Sequence, residues 1–244
     1  MSDLAIETHA LRRVFGALVA VDGLDLAVRR GEVLGLLGPN GSGKTTTIRM
    51  LTGLLQPSAG TATVAGIDIT RDPEGVRRRI GYMCQRFGLY DDLTVEENLR
   101  FYAELYGLRG AAGAARREQV LEEGGLASRR RQLAGTLSGG WKQRLALACA
   151  IAHEPALVFL DEPTAGVDPA SRRAFWQRIG ALAALGTTIV VTTHYMDEAE
   201  RCARLVLLAR GRLIAEGPPD GIPARFGAAT LEDVFVDLQA AEAT

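Results

Sequence analysis

The stretch GPNGSGKTT, residues 38–46, is the part of the sequence that most strongly decides the fold. It follows the apolar run VLGLL at residues 33–37, and Ile48, Leu51 and Leu55 then recur at the spacing of a helix. The pattern G-x-x-x-x-G-K-[ST] between a strand and a helix predicts a loop whose backbone N–H groups surround a phosphate.

The positions of this loop have distinct expected roles. Its glycines let the backbone curl, and the helix that follows adds its positive N-terminal end. Lys44 is expected to reach the β and γ oxygens, and Thr45 is expected to give its hydroxyl to Mg²⁺. The phosphate-binding residues predicted from this motif are Gly38, Pro39, Asn40, Gly41, Ser42, Gly43, Lys44, Thr45 and Thr46.

Composition limits the remaining function classes. With 244 residues and 47% apolar content, the chain can form one large domain or a domain with an inserted subdomain. The 28 basic and 29 acidic residues give a net charge of −1, which argues against a nucleic-acid partner held by bulk charge. Three scattered cysteines indicate reduced thiols. We expect no export signal and no membrane span in this sequence.

Hydrophobic patterning predicts an α/β protein. Alternation over residues 10–32 predicts antiparallel strands, and residues 94–131 read as mostly helical, with AAGAARRE (residues 111–118) forming a turn and a new helix. Helices and strands then alternate, which predicts a mostly parallel sheet covered by helices on both faces. TLEDVFVDL, residues 230–238, predicts a terminal helix with a Thr-x-x-Asp cap.

Polar residues follow three of the predicted strands. Asp161 ends the apolar run ALVFL, so its carboxylate is expected beside the phosphate loop, where it can hold the water shell of a metal. Glu162 comes next and is free to orient a water molecule or accept its proton. His194 and Gln85 also end strands. A histidine at the end of a strand is more often structural than catalytic, so both residues are candidates only because they share the sheet edge of Asp161.

LSGGWKQR, residues 137–144, is a second helix start that suits an anion, because a small hydroxyl residue and two glycines open it. The chain contains only two lysines, Lys44 and Lys142, one in each glycine motif. A compact ammonium is expected to be required at Lys44. For Lys142 the sequence leaves a specific role and an incidental one equally open.

Together these motifs resemble the ATP-binding subunit of ABC transporters over nearly the whole chain. The specific part is LSGG shortly before LDEPT, because phosphate loops occur in many NTPases. In the terms of that family, Gln85 matches the Q-loop, Asp161 and Glu162 match Walker B, AGVD ending at Asp168 matches the D-loop, and His194 matches the switch histidine. Trp141 departs from the commonest residue at its position.

The resemblance implies that two such domains pack head to tail around ATP. Ser138, Gly139 and Gly140 would then bind the γ-phosphate of a nucleotide held by the partner. It also implies that Phe15 stacks on adenine, that His194 contacts the γ-phosphate, and that Gln85 senses Mg²⁺ and the attacking water. The implied catalytic residues are Glu162, His194, Gln85 and Lys44, and the implied Mg²⁺ ligands are Thr45, Gln85 and Asp161.

The fold implied by the resemblance is a single ABC ATPase domain over residues 1–244. It has a P-loop NTPase core with a mostly parallel sheet, an N-terminal antiparallel β subdomain and an inserted helical subdomain at about residues 86–153. A C-terminal helix is expected at about residues 230–240.

The chain looks most like the ATPases of drug and lipid exporters. We therefore expect a hydrophobic permease and a second ABC ATPase domain, in a homodimer or heterodimer, as partners on the cytoplasmic face of the membrane. The patch Leu89, Tyr90, Asp91 and Asp92 is either a surface for the permease or an ordinary solvated loop. The alternatives are a soluble ABC ATPase acting on nucleic acid or ribosomes, and one acting in cofactor assembly.

Overall fold

The computed structural model describes residues 3–85 and 88–242. In chain order the elements are β1 (Leu4–Phe15), β2 (Leu18–Arg29), β3 (Val33–Leu37), α1 (Lys44–Leu51), β4 (Ala59–Val64), β5 (Ile67–Asp68), α2 (Pro73–Arg79), β6 (Ile80–Met83), α3 (Val95–Leu105), α4 (Gly110–Glu123), α5 (Gly139–Ile151), β7 (Leu157–Asp161), α6 (Pro169–Ala184), β8 (Thr188–Thr192), α7 (Met196–Ala199), β9 (Arg204–Ala209), β10 (Arg212–Gly217), α8 (Ile222–Phe226) and α9 (Leu231–Glu242).

A four-stranded antiparallel sheet contains β1 and β2, and its strand order is β2-β1-β4-β5. Along β2 the side chains of Leu24, Leu26 and Val28 are buried, whereas the residues between them are exposed. This alternation is what a strand with one covered face requires, and it confirms the antiparallel strands predicted from the sequence.

The second sheet has six strands in the order β10-β9-β3-β8-β7-β6. Its strands pair in parallel except for the edge strand β10, which runs antiparallel to β9. Every residue of β7 and β8 is buried, as expected for strands covered on both faces. The mostly parallel sheet is therefore confirmed, and the carboxyl ends of β3, β6, β7 and β8 meet at one edge.

Helices α3, α4 and α5 enclose a hydrophobic core of their own. Val95 and Leu99 from α3, Leu121 from α4, and Leu145 and Cys149 from α5 are buried together there. Thr94 and Glu97 form a capping box that begins α3. These helices lie within the segment predicted as a helical subdomain, of which residues 86 and 87 fall outside the described part of the chain.

One sequence prediction in this region is wrong. Residues 111–118 were expected to contain a turn, but α4 begins at Gly110 and includes all of them. The chain turns earlier, at residues 106–109, where Gly107 has a φ of 83° that favours glycine. The run of alanines then continues the helix, because alanine has the highest helix propensity.

At the end of the chain, α9 has the Thr-x-x-Asp cap expected from the sequence. The backbone N–H of Asp233 donates to the hydroxyl of Thr230 at 3.1 Å, and the Thr230 N–H donates to the Asp233 carboxylate at 2.9 Å. Leu231 and Val234 are buried against the core of the parallel sheet. Within residues 3–85 and 88–242, no helix combines the length and the apolar character that crossing a membrane requires.

Candidate functional site

The loop between β3 and α1 can adopt its curled conformation because glycines occupy its strained positions. Gly41 has a φ of 88° and Gly43 a φ of 104°, in the region that other residues rarely adopt. A Cβ atom at Gly43 would lie 2.5 Å from the carbonyl oxygen of Ala20, so a larger residue would collide with β2. The backbone immediately before α1 therefore has room only for glycine, which leaves the helix start accessible to a phosphate.

The side chain of Lys44 is held inside this loop. It is only 5% exposed, and its Nζ donates hydrogen bonds to the carbonyl oxygens of Gly38 at 2.7 Å and Pro39 at 2.9 Å. These bonds keep the ammonium at the centre of the curl. A compact ammonium with several donors suits this position better than a planar guanidinium.

Asp161 ends β7 beside the phosphate loop. Its Oδ1 accepts hydrogen bonds from the hydroxyl of Thr192 at 2.8 Å and from the hydroxyl of Thr45 at 3.3 Å. Burial raises the pKa of the Asp161 carboxyl above its ordinary value, and the two hydroxyl bonds oppose that shift. A divalent cation at this carboxylate would favour the ionised form.

Glu162 has an unusual backbone conformation, with a φ of 46°. Its N–H donates to the hydroxyl of Thr192 at 2.8 Å, which fixes the turn after β7. A residue other than glycine in this region stores strain of about 1–3 kcal/mol, and such strain is concentrated at functional sites. This turn leaves the Glu162 side chain in the lining of the cavity.

The strand-end residues Gln85 and His194 meet at one oxygen of Glu162. Gln85 Nε2 donates to Glu162 Oε2 at 2.9 Å, and His194 Nδ1 lies 3.6 Å from the same oxygen. The sequence placed these three residues at a common sheet edge, and the structure brings their side chains into contact. A carboxylate held between an amide and an imidazole can orient a water molecule and accept its proton.

A cavity of about 1000 Å³ connects these groups. Of the residues predicted for the site, its lining includes Phe15, Asn40, Gly41, Gly43, Lys44, Thr45, Thr46, Gln85, Glu162 and His194. Gly38, Pro39 and Ser42 are buried within the loop behind that wall. The glycine cradle and the size of the cavity fit a nucleoside triphosphate.

Several residues of the cavity wall could not be predicted from the sequence. They come from the first residues of β2, from Tyr195 and the start of α7, and from α9; the missed residues are Leu18, Ala20, Tyr195, Met196, Asp197, Glu232, Phe235, Val236 and Gln239. The available signal for α9 was its amphipathic pattern, which showed a buried face but not what the opposite face meets.

Phe15, at the end of β1, presents an aromatic surface to the cavity. Its side chain is 44% exposed, and the guanidinium of Arg13 lies 4.5 Å from the ring centroid on one face. A ring covered on one side by a cation can stack a planar base on its other side.

The oxygen ligands near the loop fit Mg²⁺ better than a metal with nitrogen or sulfur ligands. In the described residues, no group of three or more His, Cys, Asp or Glu side chains is arranged to hold a metal. Thr45, Gln85 and Asp161 instead offer hydroxyl, amide and carboxylate oxygens. Mg²⁺ is usually bound by one or two protein oxygens together with substrate phosphates, so this set is suitable when a triphosphate is present.

The LSGG segment lies outside the lining of this cavity. Helix α5 begins at Gly139, and Ser138 precedes it in an extended conformation without a capping hydrogen bond from its side chain. Ser138 and Gly139 are exposed, whereas Gly140 is buried so closely that a Cβ atom there would lie 2.4 Å from Ser171 Oγ. The start of α5 therefore presents free donors to the surface, away from the phosphate loop of its own chain.

Lys142 and Trp141, in the first turn of α5, have partners that explain their positions. The Lys142 ammonium donates to the carboxylate of Asp91 at 2.8 Å. The guanidinium groups of Arg129 and Arg144 lie over the Trp141 ring, at 4.4 Å and 4.7 Å from its centroid. The second lysine therefore links α5 to the loop before α3 and has a different role from Lys44.

Comparison with known proteins agrees with this arrangement. A family described as "ABC transporter" matches residues 21–165, more than half of the chain. This chain belongs to the ABC transporter family. Its cassette is the part of such proteins that binds and hydrolyses ATP, and the fold is that of the P-loop NTPases.

Two curated relatives are similar along nearly all of this cassette. It is 47% identical over 241 residues to the probable multidrug ABC transporter ATP-binding protein YbhF of Escherichia coli, covering 97% of the cassette but only 42% of YbhF. It is 45% identical over 236 residues to the daunorubicin/doxorubicin resistance ATP-binding protein DrrA of Streptomyces peucetius, covering 96% of the cassette and 72% of DrrA.

A solved structure supports both the fold and the chemistry. It is a dimeric ATP-binding cassette in a post-hydrolysis state, bound to ADP and Pi. Its TM-score with the present cassette is 0.80 at 27% identity, and the match covers 87% of the cassette and 98% of the other chain.

Proposed function

We propose that this cassette dimerises around ATP and that its hydrolysis of ATP drives export of a drug-like or lipid-like small molecule through a separate membrane permease. The observation that supports the proposal most strongly is the convergence of Gln85 and His194 on Glu162 in the cavity of the phosphate loop. The name of YbhF refers to a probable multidrug transporter and that of DrrA to daunorubicin/doxorubicin resistance, and both names favour export of such molecules.

The proposed chemistry assigns a separate task to each side chain. Lys44 holds the β and γ oxygens, and Phe15 stacks the adenine. Thr45, Gln85 and Asp161 would hold Mg²⁺, which neutralises developing phosphate charge when it is bound. Glu162 accepts the proton of the attacking water, which Gln85 helps to orient.

The start of α5 is proposed to complete the site of a second cassette. Ser138 and Gly139 are exposed and have no part in the cavity of their own chain. In a two-fold pair, Ser138, Gly139 and Gly140 of each cassette would meet the γ-phosphate held by the other phosphate loop. His194 would contact the same γ-phosphate from the cassette that holds the nucleotide. Two identical cassettes or two different ones satisfy this geometry equally.

The permease is proposed to contact the acidic loop formed by Leu89, Tyr90, Asp91 and Asp92. Asn98, which is fully buried, accepts from the N–H of Tyr90 and donates to the carbonyl oxygens of Tyr90, Leu93 and Thr94. The loop is therefore preformed, and it belongs to the helical region proposed as the inserted subdomain of residues 86–153. Tyr90 is 44% exposed and is available to a partner.

The catalytic assignment is tested by Glu162→Gln. The substitution keeps the shape but removes the base, so turnover should fall by about 10²–10⁴-fold while ATP still binds. The variant should also accumulate as an ATP-bound dimer, because the ligand that holds the pair together is no longer hydrolysed. Turnover is measured by phosphate release, and dimerisation by light scattering with and without Mg-ATP.

Glu122→Gln, an exposed carboxylate on α4, is the matched control and should leave both measurements unchanged. Undiminished turnover in the Glu162 variant would refute the catalytic assignment.

The transport assignment is tested separately by isolating the protein from gently solubilised cells. Recovery with a hydrophobic membrane protein, on the inner face of the membrane, is expected; a fully soluble protein without that partner would refute it.

A further inference from the structure

One buried carboxylate, that of Glu198, joins the two segments that carry Glu162 and His194. Glu198 lies in α7, and its exposed fraction is 0%. Its Oε1 accepts a hydrogen bond from the Thr164 hydroxyl, and its Oε2 accepts one from the Thr193 hydroxyl at 2.7 Å. Thr164 follows Glu162 by two residues, and Thr193 immediately precedes His194.

The Thr193 hydroxyl fixes the backbone on both sides of His194. It donates to Glu198 and also accepts the N–H of Tyr195 at 3.0 Å. His194 therefore lies between two residues that are held by a single hydroxyl group. The orientation of that hydroxyl depends on the Glu198 carboxylate, because the carboxylate is the acceptor for its proton.

This network lies in a region closed to water, where hydrogen bonds are strong and lost partners are costly. Thr164 and Thr193 are each 1% exposed. The nearby Cys202 thiol donates weakly to the backbone oxygen of Glu198 at 3.7 Å. Burial raises the pKa of Cys202 to about 12, and the Glu198 carboxylate contributes in the same direction. Removing the carboxylate would leave two buried hydroxyls without an acceptor.

We propose that Glu198 is a positioning residue that sets the separation between His194 Nδ1 and Glu162 Oε2, which is 3.6 Å here. It acts through Thr193 on one side and Thr164 on the other, and it does not line the nucleotide cavity. The inference rests on the proposed roles of Glu162 and His194. Small displacements of reacting groups are sufficient for a large loss of rate, because a shift of about 1 Å can cost 10²-fold.

A double-mutant cycle in kcat tests this role. Glu198→Ala should lower kcat by about 10- to 100-fold with little change in the KM for ATP. In a His194→Ala background, the same substitution should cost no more than about twofold, because the His194–Glu162 separation that Glu198 sets no longer exists. An equal loss in both backgrounds would show that Glu198 acts on overall stability and would overturn the proposal.

Two further variants protect the test against misfolding. Glu198→Gln keeps the volume and one acceptor, so it should recover most of the lost kcat. Glu200→Gln, at an exposed carboxylate at the end of the same helix, should match the unmodified protein. Thermal unfolding shows whether Glu198→Ala folds. If it does not, Thr193→Val takes its place in the cycle, because valine has nearly the same shape as threonine but lacks the hydroxyl that contacts Glu198. An equal loss of kcat with and without His194 would again overturn the proposal.

The outcomes separate this inference from the proposed function. If Glu162→Gln leaves turnover unchanged, the catalytic assignment itself fails, whatever the cycle shows. If Glu162→Gln abolishes turnover while the cycle is additive, the proposed function stands and only the positioning role of Glu198 fails.

Discussion

The helix starts at α1 and α5 both follow glycine-rich segments and both contain a lysine in or near the first turn, yet their surroundings differ. At α1 the lysine is buried inside its own loop and the cavity wall closes around it. At α5 the lysine bonds outward to Asp91, and Ser138 and Gly139 face solvent. The first start therefore has the surroundings of an anion site within its own chain. The second is open to solvent and, in the proposed pair, would serve an anion that another molecule brings.

The largest effect that separates the two starts is expected from Ser138→Glu. If the start of α5 meets a γ-phosphate of the partner, a carboxylate there costs several kcal/mol, so turnover should fall by about 10²-fold or more. Nucleotide binding by the single cassette should not change, because Ser138 is outside its own cavity. Phosphate release and titration with a fluorescent ATP analogue measure the two quantities.

Ser138→Ala provides the control, since it removes one hydroxyl without adding charge and should reduce turnover far less. A loss of nucleotide affinity in the isolated Ser138→Glu cassette would place both helix starts in one site and contradict the comparison.

The two lysines give the next effect in size. Lys44→Ala should weaken ATP binding by about 10- to 100-fold, because a charge-assisted hydrogen bond contributes about 1.5–3 kcal/mol. Lys44→Arg should also bind poorly, since a guanidinium does not fit the curl. Lys142→Arg should bind ATP normally, because an arginine can keep the ion pair with Asp91. Equal ATP affinity for Lys44→Arg and Lys142→Arg would count against the assigned difference.

Glycine replacements compare the backbone of the two starts. Gly43→Ala places a Cβ atom 2.5 Å from the Ala20 oxygen at a φ of 104°, and it should cost about 2–3 kcal/mol in the free energy of unfolding. At Gly139 the nearest atom to an added Cβ is the Gly166 oxygen, at 3.8 Å. Gly139→Ala should therefore change stability by less than about 0.5 kcal/mol. Urea unfolding measures both, and similar costs would be inconsistent with this difference.

The smallest effect concerns the carboxylate beside α1. Because burial raises the pKa of Asp161, its carboxyl group stays protonated to a higher pH in the folded protein than in the unfolded chain. At a pH above the folded-state pKa, the ionised carboxylate lowers the free energy of unfolding. Asp161→Asn, measured with EDTA and without nucleotide, should therefore unfold at a higher temperature near neutral pH. The difference should disappear in acid, where the wild-type carboxyl is protonated. A variant less stable than the wild type at neutral pH would contradict this.

The sequence was sufficient for the parts of the fold that repeat a simple pattern. The apolar runs of β3, β7 and β8 and the glycine loop identified the sheet edge, because buried parallel strands have few polar residues. It was not sufficient for β4, whose residues AGTATV are small, or for α2, which has seven residues and one buried side chain. Short elements of this kind depend on tertiary contacts.

The site was predictable as a set of residues but not as a geometry. Nothing in the sequence shows that Glu162 adopts a φ of 46° or that one of its oxygens meets both Gln85 and His194. The glycines before α1 and those before α5 both indicate a helix start that suits an anion. The different surroundings of the two helix starts therefore could not be predicted from the local sequence. That difference arises from the packing of β2 against one loop and of α6 against the other.

The four hydrogen bonds of Asn98 have a mechanical consequence. Its buried amide holds the loop at residues 90–94 from within α3, and Lys142 connects the same loop to α5. A displacement of this loop would therefore be shared with the first turns of both helices. A partner that moves Tyr90 would in this way also act on the surroundings of Ser138.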